Sequence, residues 1–129
     1  MDQVRNNRQY NLEERTFQFA KNIGLYLKQL PKNILNLEYG KQLVRASGSV
    51  GANDIEANES LSKKDFVMRI KICRKESKES AYWLRLIVEA NDENYKNKGS
   101  ERLNEAVELK KILSSILLKS EWFGSLTLW

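Results

Sequence analysis

The sequence predicts an all-α protein, an antiparallel up-down four-helix bundle. Three observations carry that expectation. Apolar residues recur at three- and four-residue steps through four long segments. Only one proline, Pro31, and six glycines interrupt 129 residues. The breaks between segments are short, which favours neighbours of alternating direction. Hydrophobic residues make up 41% and charged residues 30%, a balance that suits one globular domain spanning 1–129.

The first helix is expected from about Leu12 to Leu30, after a short polar arm of residues 1–11. Asn11 is placed to cap it, and Glu13 and Glu14 lie in its first turn, where the helix dipole favours acids. Phe19 or Ala20, Ile23, Leu27 and Leu30 mark its buried face, and Pro31 ends it. The second helix is expected over Asn36 to Ser60, with Tyr39, Leu43, Ala46, Val50, Asn53 and Ala57 on the seam. Its centre, Ala46 to Ala52, is a run of small side chains. Gly48 and Gly51 each cost about 1 kcal/mol of helix propensity against alanine. Close approach of another helix, in this chain or another subunit, is the expected compensation. Asn53, with Ser49 nearby, reads as an amide that fixes register.

The third helix is expected to begin at the N-cap Ser62, with Asp65 closing a capping box, and to run to about Ala90. Phe66, Ile70, Cys73, Ser77, Ala81 or Ser80, Leu84 and Ile87 or Val88 form its seam. Cys73 reads as a small apolar filler. Trp83, one residue off the seam, reads as packing. The fourth helix is expected after Gly99-Ser100, with Ser100 as cap. Ala106, Leu109, Leu113 and Ile116 form one stripe, and Leu103, Val107, Ile112 and Leu117 widen it. So wide a band implies a sandwiched helix or a subunit contact. The tail 122–129 is apolar and is expected to dock.

Composition excludes several functions. There is no histidine, which removes the commonest general base and metal ligand. Glu56, Glu59, Glu76 and Glu79 lack the histidine partners of a di-metal bundle, so structural ion pairs to Arg45, Arg74 or Lys75 are expected instead. Gly48-Ser49-Val50-Gly51 lacks the Lys-Ser/Thr pair of a phosphate loop. No metal, cofactor, small-molecule substrate or catalytic residue is expected, and the chain is read as no enzyme. The single cysteine allows no intrachain disulfide, and no apolar run approaches membrane-span length. With a polar N-terminus, the expected location is the cytoplasm.

The net charge of +5 is unevenly spread. Residues 62–91 hold eight Lys/Arg against four Asp/Glu, so most of the excess lies on the third helix. Lys64, Lys71, Lys75, Lys78 and Arg85 fall on one side of it, with Met68 and Tyr82 in the same line. A cationic track with an interleaved aromatic suits a phosphate backbone and a stacked base. The competing reading is a solvated face closed by the i,i+4 pairs Lys75–Glu79, Arg85–Glu89 and Asp65–Arg69.

The middle of the chain also resembles a known family. The carrying residues are Ser49-Val50-Gly51-Ala52-Asn53, Glu56-Ala57, Ser62 to Phe66, Lys75-Glu76 and Tyr82 to Leu86. Together they resemble the bacterial 23S rRNA-intervening-sequence proteins, also labelled S23 ribosomal proteins, over roughly residues 15–121. Asp54 and Cys73 depart from the pattern. The resemblance implies a four-helix bundle assembled as a ring-shaped homopentamer. The family is also similar to the accessory protein of diversity-generating retroelements, which binds nucleic acid through a basic surface. The expected activity is therefore non-enzymatic: an oligomer contacting RNA or an RNA–protein complex through Lys64, Lys71, Lys75, Lys78, Tyr82 and Arg85. The alternative expectation is a scaffold with no nucleic-acid binding.

Overall fold

The computed structural model describes the backbone of residues 2–126 and the side chains of residues 11–120. Four helices account for it: α1 (Asp2–Gln29), α2 (Ile34–Asn58), α3 (Lys63–Ala90) and α4 (Lys96–Leu126), with a 3-10 turn at Glu93–Tyr95. They form an antiparallel up-down bundle. α3 packs most extensively, against α2 on one side and α4 on the other. α1 closes the bundle on α2 and, more sparsely, on α4.

The helix ends follow local chemistry. Asn33 caps α2, its side chain accepting from the Asn36 amide, and Ser62 caps α3 by accepting from Asp65 N at 3.1 Å. Two starts differ from expectation. α1 begins at Asp2 rather than near Leu12, since residues 3–11 contain no glycine or proline to stop a helix. α4 begins at Lys96, so Ser100 is inside the helix and caps nothing. The tail docking expected for residues 122–129 lies outside the described side chains.

Gly99 explains the second difference. It is buried within α4, and a Cβ there would fall 2.5 Å from the Tyr26 hydroxyl and 2.6 Å from Val88 Cγ2. Tyr26 is itself buried and donates to the Tyr95 carbonyl at 3.2 Å. The glycine lets three segments meet and opens no loop. Gly99→Ala should therefore destabilise the protein by about 1–2 kcal/mol, because overpacking outweighs the gain in helix propensity. An unchanged urea midpoint would contradict this.

The core is one cluster. Phe19, Ile23, Leu43, Val50, Ile70, Leu84, Ile87, Leu109 and Leu113 are buried at its centre. The middle of α3 contributes small residues, Cys73, Ser77 and Ser80, which let two neighbours approach it. Ser77 and Ser80 donate to carbonyls one turn back at 2.9 and 2.8 Å, so their burial leaves no hydroxyl unpaired. The wide band on α4 is mostly consumed within the chain. Leu117 is buried, and Leu103, Ile112 and Ile116 pack against the core.

Polar contacts then fix the ends. Asn36 and Asn91 exchange side-chain amide hydrogen bonds at 2.8 and 2.7 Å, joining the start of α2 to the end of α3. Asn36 also donates to the Pro31 carbonyl, and Asn91 to that of Ile87. Arg15 donates twice to Glu105, at 2.9 and 2.8 Å, tying α1 to α4.

Candidate nucleic-acid interface

With α2 and α4 against it, α3 keeps one face outward. Lys64, Lys71, Lys75, Lys78, Tyr82 and Arg85 are all exposed on it, and Met68 lies between them. From Lys64 to Arg85 the ridge runs roughly 30 Å at 1.5 Å per residue. The structure thus brings every expected contact residue onto one continuous surface.

The expected ion pairs along that surface are absent among the described residues. None of Lys64, Lys71, Lys75, Lys78 and Arg85 has a carboxylate within 4.0 Å. Glu79 and Arg69 are engaged elsewhere. Glu79 accepts from Trp83 Nε1 at 3.3 Å, and Arg69 donates to Asn53 Oδ1 at 3.0 Å. Burial, then the charge of Glu79, raises the Glu76 carboxyl, and Lys75 partly offsets this. Nor do Arg45, Arg74 or Lys75 pair with Glu56, Glu59, Glu76 or Glu79. No cluster of acids and cysteine among the described residues is arranged to hold a metal.

The aromatic part is pre-ordered. Tyr82 meets Trp83 edge-on, with centroids 5.1 Å apart, and Trp83 leans on Tyr39 at 6.0 Å. Trp83 is half-buried against the core, as packing requires.

One seam residue behaves differently from the sequence reading. Asn53 is only half-buried, and its amide donates to the Ser49 carbonyl while accepting from Arg69. It does tie α2 to α3. A buried carboxylate stands beside it on α2: Asp54 is 1% exposed, with no hydrogen-bond partner at Oδ2. Burial, then the charge of Glu13, pushes its carboxyl up to about 7. Sequence reasoning passed over it because positions 53 and 54 both continue the helical period from Val50, and an amide is the easier group to bury. Cys73 is fully buried, donates to the Val50 carbonyl at 3.3 Å, and is pushed up to about 12 by burial and then by Asp54. It is a protonated filler at neutral pH.

A second surface feature lies on α2. Gly51 is where α1 crosses, since a Cβ there would sit 3.1 Å from Thr16 Oγ1. Gly48 has nothing within 4 Å of an added Cβ. It shares one face with Leu37, Val44 and Ile55, which are 59%, 56% and 50% exposed. Toward the start of α2 this line opens into a groove of about 840 Å³ floored by Leu27, Leu30, Leu37, Gly40 and Val44. Among the described residues no helix is long and apolar enough to cross a membrane.

Comparison with known proteins agrees with this architecture. No protein with a curated description matches the chain. A solved structure from Bacteroides thetaiotaomicron VPI-5482, a protein of unknown function from the S23 ribosomal protein family, superposes with a TM-score of 0.68. It is 27% identical, and the match covers 82% of this chain and 97% of that one. The family model for the 23S rRNA-intervening sequence protein matches residues 8–115, which include α2, α3 and the ridge. The chain belongs to the 23S rRNA-intervening sequence protein family.

Proposed function

We propose that this protein is a non-enzymatic homo-oligomer that contacts RNA, or an RNA–protein complex, through the outward face of α3. The observation that supports this is the ridge itself: five exposed cations in line, none held by a neighbouring carboxylate. Intramolecular pairing would have spent the attraction before a ligand arrived. Unpaired cations release counterions on meeting phosphates, so affinity should fall log-linearly with salt. The family's name, which refers to intervening sequences of 23S rRNA, is consistent with an RNA partner.

Oligomerisation draws support from α2. Leu37, Val44 and Ile55 form an exposed apolar line along α2, and Gly48 leaves room for a helix to approach. A ring of five copies, the assembly the resemblance implies, would display five ridges, and weak contacts would add through effective concentration.

Two measurements test the proposal. Mobility shift with a structured RNA should show binding at low salt that weakens steeply as salt rises; no binding at low salt would reject the RNA partner. Light scattering should give an oligomer for the native protein and a monomer for the Leu37→Glu, Val44→Glu double variant. A native monomer would reject the assembly.

A further inference from the structure

Resting on the RNA reading above, we infer that the ridge selects RNA carrying unpaired nucleotides, with Tyr82 as the platform on which one exposed base stacks. The phosphate-binding cations alone would serve any duplex. Tyr82 has no such role, because a phenol ring in the middle of a cationic ridge offers a backbone little. A 57% exposed ring costs free energy in water unless something apolar and flat covers it. In an A-form duplex the base faces are stacked on one another and out of reach, whereas a loop, bulge or strand end offers them freely.

The surroundings of Tyr82 fit this use. Its ring stands edge-on against Trp83 at 5.1 Å, and Trp83 is held by the bond to Glu79 and by Tyr39. The platform is therefore set before a ligand arrives, and stacking costs little side-chain entropy. Lys78 lies one turn before Tyr82 and Arg85 one turn after it, both exposed on the same face. They bracket the ring by about 6 and 4.5 Å along the helix axis, so phosphates on both sides of a stacked nucleotide find a cation. Glu79, the carboxylate nearest this group in sequence, is occupied by the Trp83 indole. Met68 is a second apolar element of the ridge, three cations away from Tyr82.

The test measures fluorescence anisotropy of three labelled RNAs: a blunt duplex, the same duplex with a single-stranded extension, and the single strand alone. The native protein should bind the two RNAs with unpaired bases at least about fivefold more tightly than the blunt duplex. Tyr82→Ala should lose about tenfold on those two RNAs and little on the duplex, which removes the preference. Tyr82→Phe, which keeps the ring, should retain it. Circular dichroism should show all variants equally helical, since residue 82 is exposed.

The Lys71, Lys75, Lys78, Arg85 glutamine variant separates the two readings. If it loses all three RNAs while Tyr82→Ala keeps the native preference, the ridge stands and the stacking platform is overturned. Equal native affinity for all three RNAs overturns the platform as well. If the native protein binds none of them, the RNA reading falls and the platform falls with it.

Discussion

Asp54→Asn should raise the thermal midpoint at pH 8 by about 10 °C and leave it far less changed at pH 5. Proton binding sets the sign. In the unfolded chain an aspartate titrates near 3.9. In the folded protein burial, then Glu13, pushes Asp54 up to about 7. Between about pH 4 and pH 7 the folded state therefore holds more protons than the unfolded one, and stability falls as pH rises. Above about 7 the folded protein must keep an ionised carboxylate 1% exposed, with Oδ2 unpaired. A shift of about three units corresponds to roughly 4 kcal/mol at most, and relaxation brings the expected gain to about 2–4 kcal/mol. For a chain of this size that is about 10 °C. Thermal melts of both proteins from pH 4 to 8 decide the matter. Parallel curves for the native protein and the variant would mean that Asp54 finds a partner or water when ionised.

Replacing Lys71, Lys75, Lys78 and Arg85 together by glutamine should lower RNA affinity by about two to three orders of magnitude at about 0.1 M salt. Each phosphate neutralised adds about 0.7–0.9 to the slope of log affinity against log salt, so four lost contacts flatten it by about three. The variant should fold normally. All four residues are exposed and none is in an ion pair, and such sites usually change stability by no more than about 0.5 kcal/mol each. An unchanged salt slope would place the contacts elsewhere on the molecule. A slope that flattens with unchanged affinity at low salt would point to non-electrostatic binding.

The ridge was readable from spacing alone. Residues three, four and seven apart share a helix face whatever the tertiary structure, and the apolar seam of α3 dictates which face turns inward. Ser62 and the apolar period likewise placed α3 to within a residue. What spacing could not supply was the choice among competing partners. Arg69 had Asp65 available on its own helix and bonds Asn53 on the next one; Glu79 had Lys75 and takes an indole. The Arg69 choice depends on interhelical distance, which a single helix does not encode; the Glu79 choice is made within α3, between two partners at the same i,i+4 spacing. Gly99 misled for a related reason. Gly-Ser is the usual signature of a break, and only the positions of Tyr26 and Val88 show it to be a contact point. Tyr26 itself was missed because Leu27 continues the period from Ile23 equally well, and the packing favours position 26. Of the two central glycines in α2, Gly51 has its explanation inside the chain, while at Gly48 no described residue comes within 4 Å of an added Cβ.

The uneven attachment of the four rods has a consequence for how the molecule opens. α2, α3 and α4 share most of the interior surface, whereas α1 meets α2 over less of its length, touches α4 sparsely and carries Glu13 toward an already strained carboxylate. The cheapest subglobal opening is then the swing of α1 away from an intact three-rod remainder, at a free energy below that of global unfolding. Native-state hydrogen exchange would record it as amides of α1 exchanging ahead of the rest. The Arg15–Glu105 fork is the latch that such an excursion must break first.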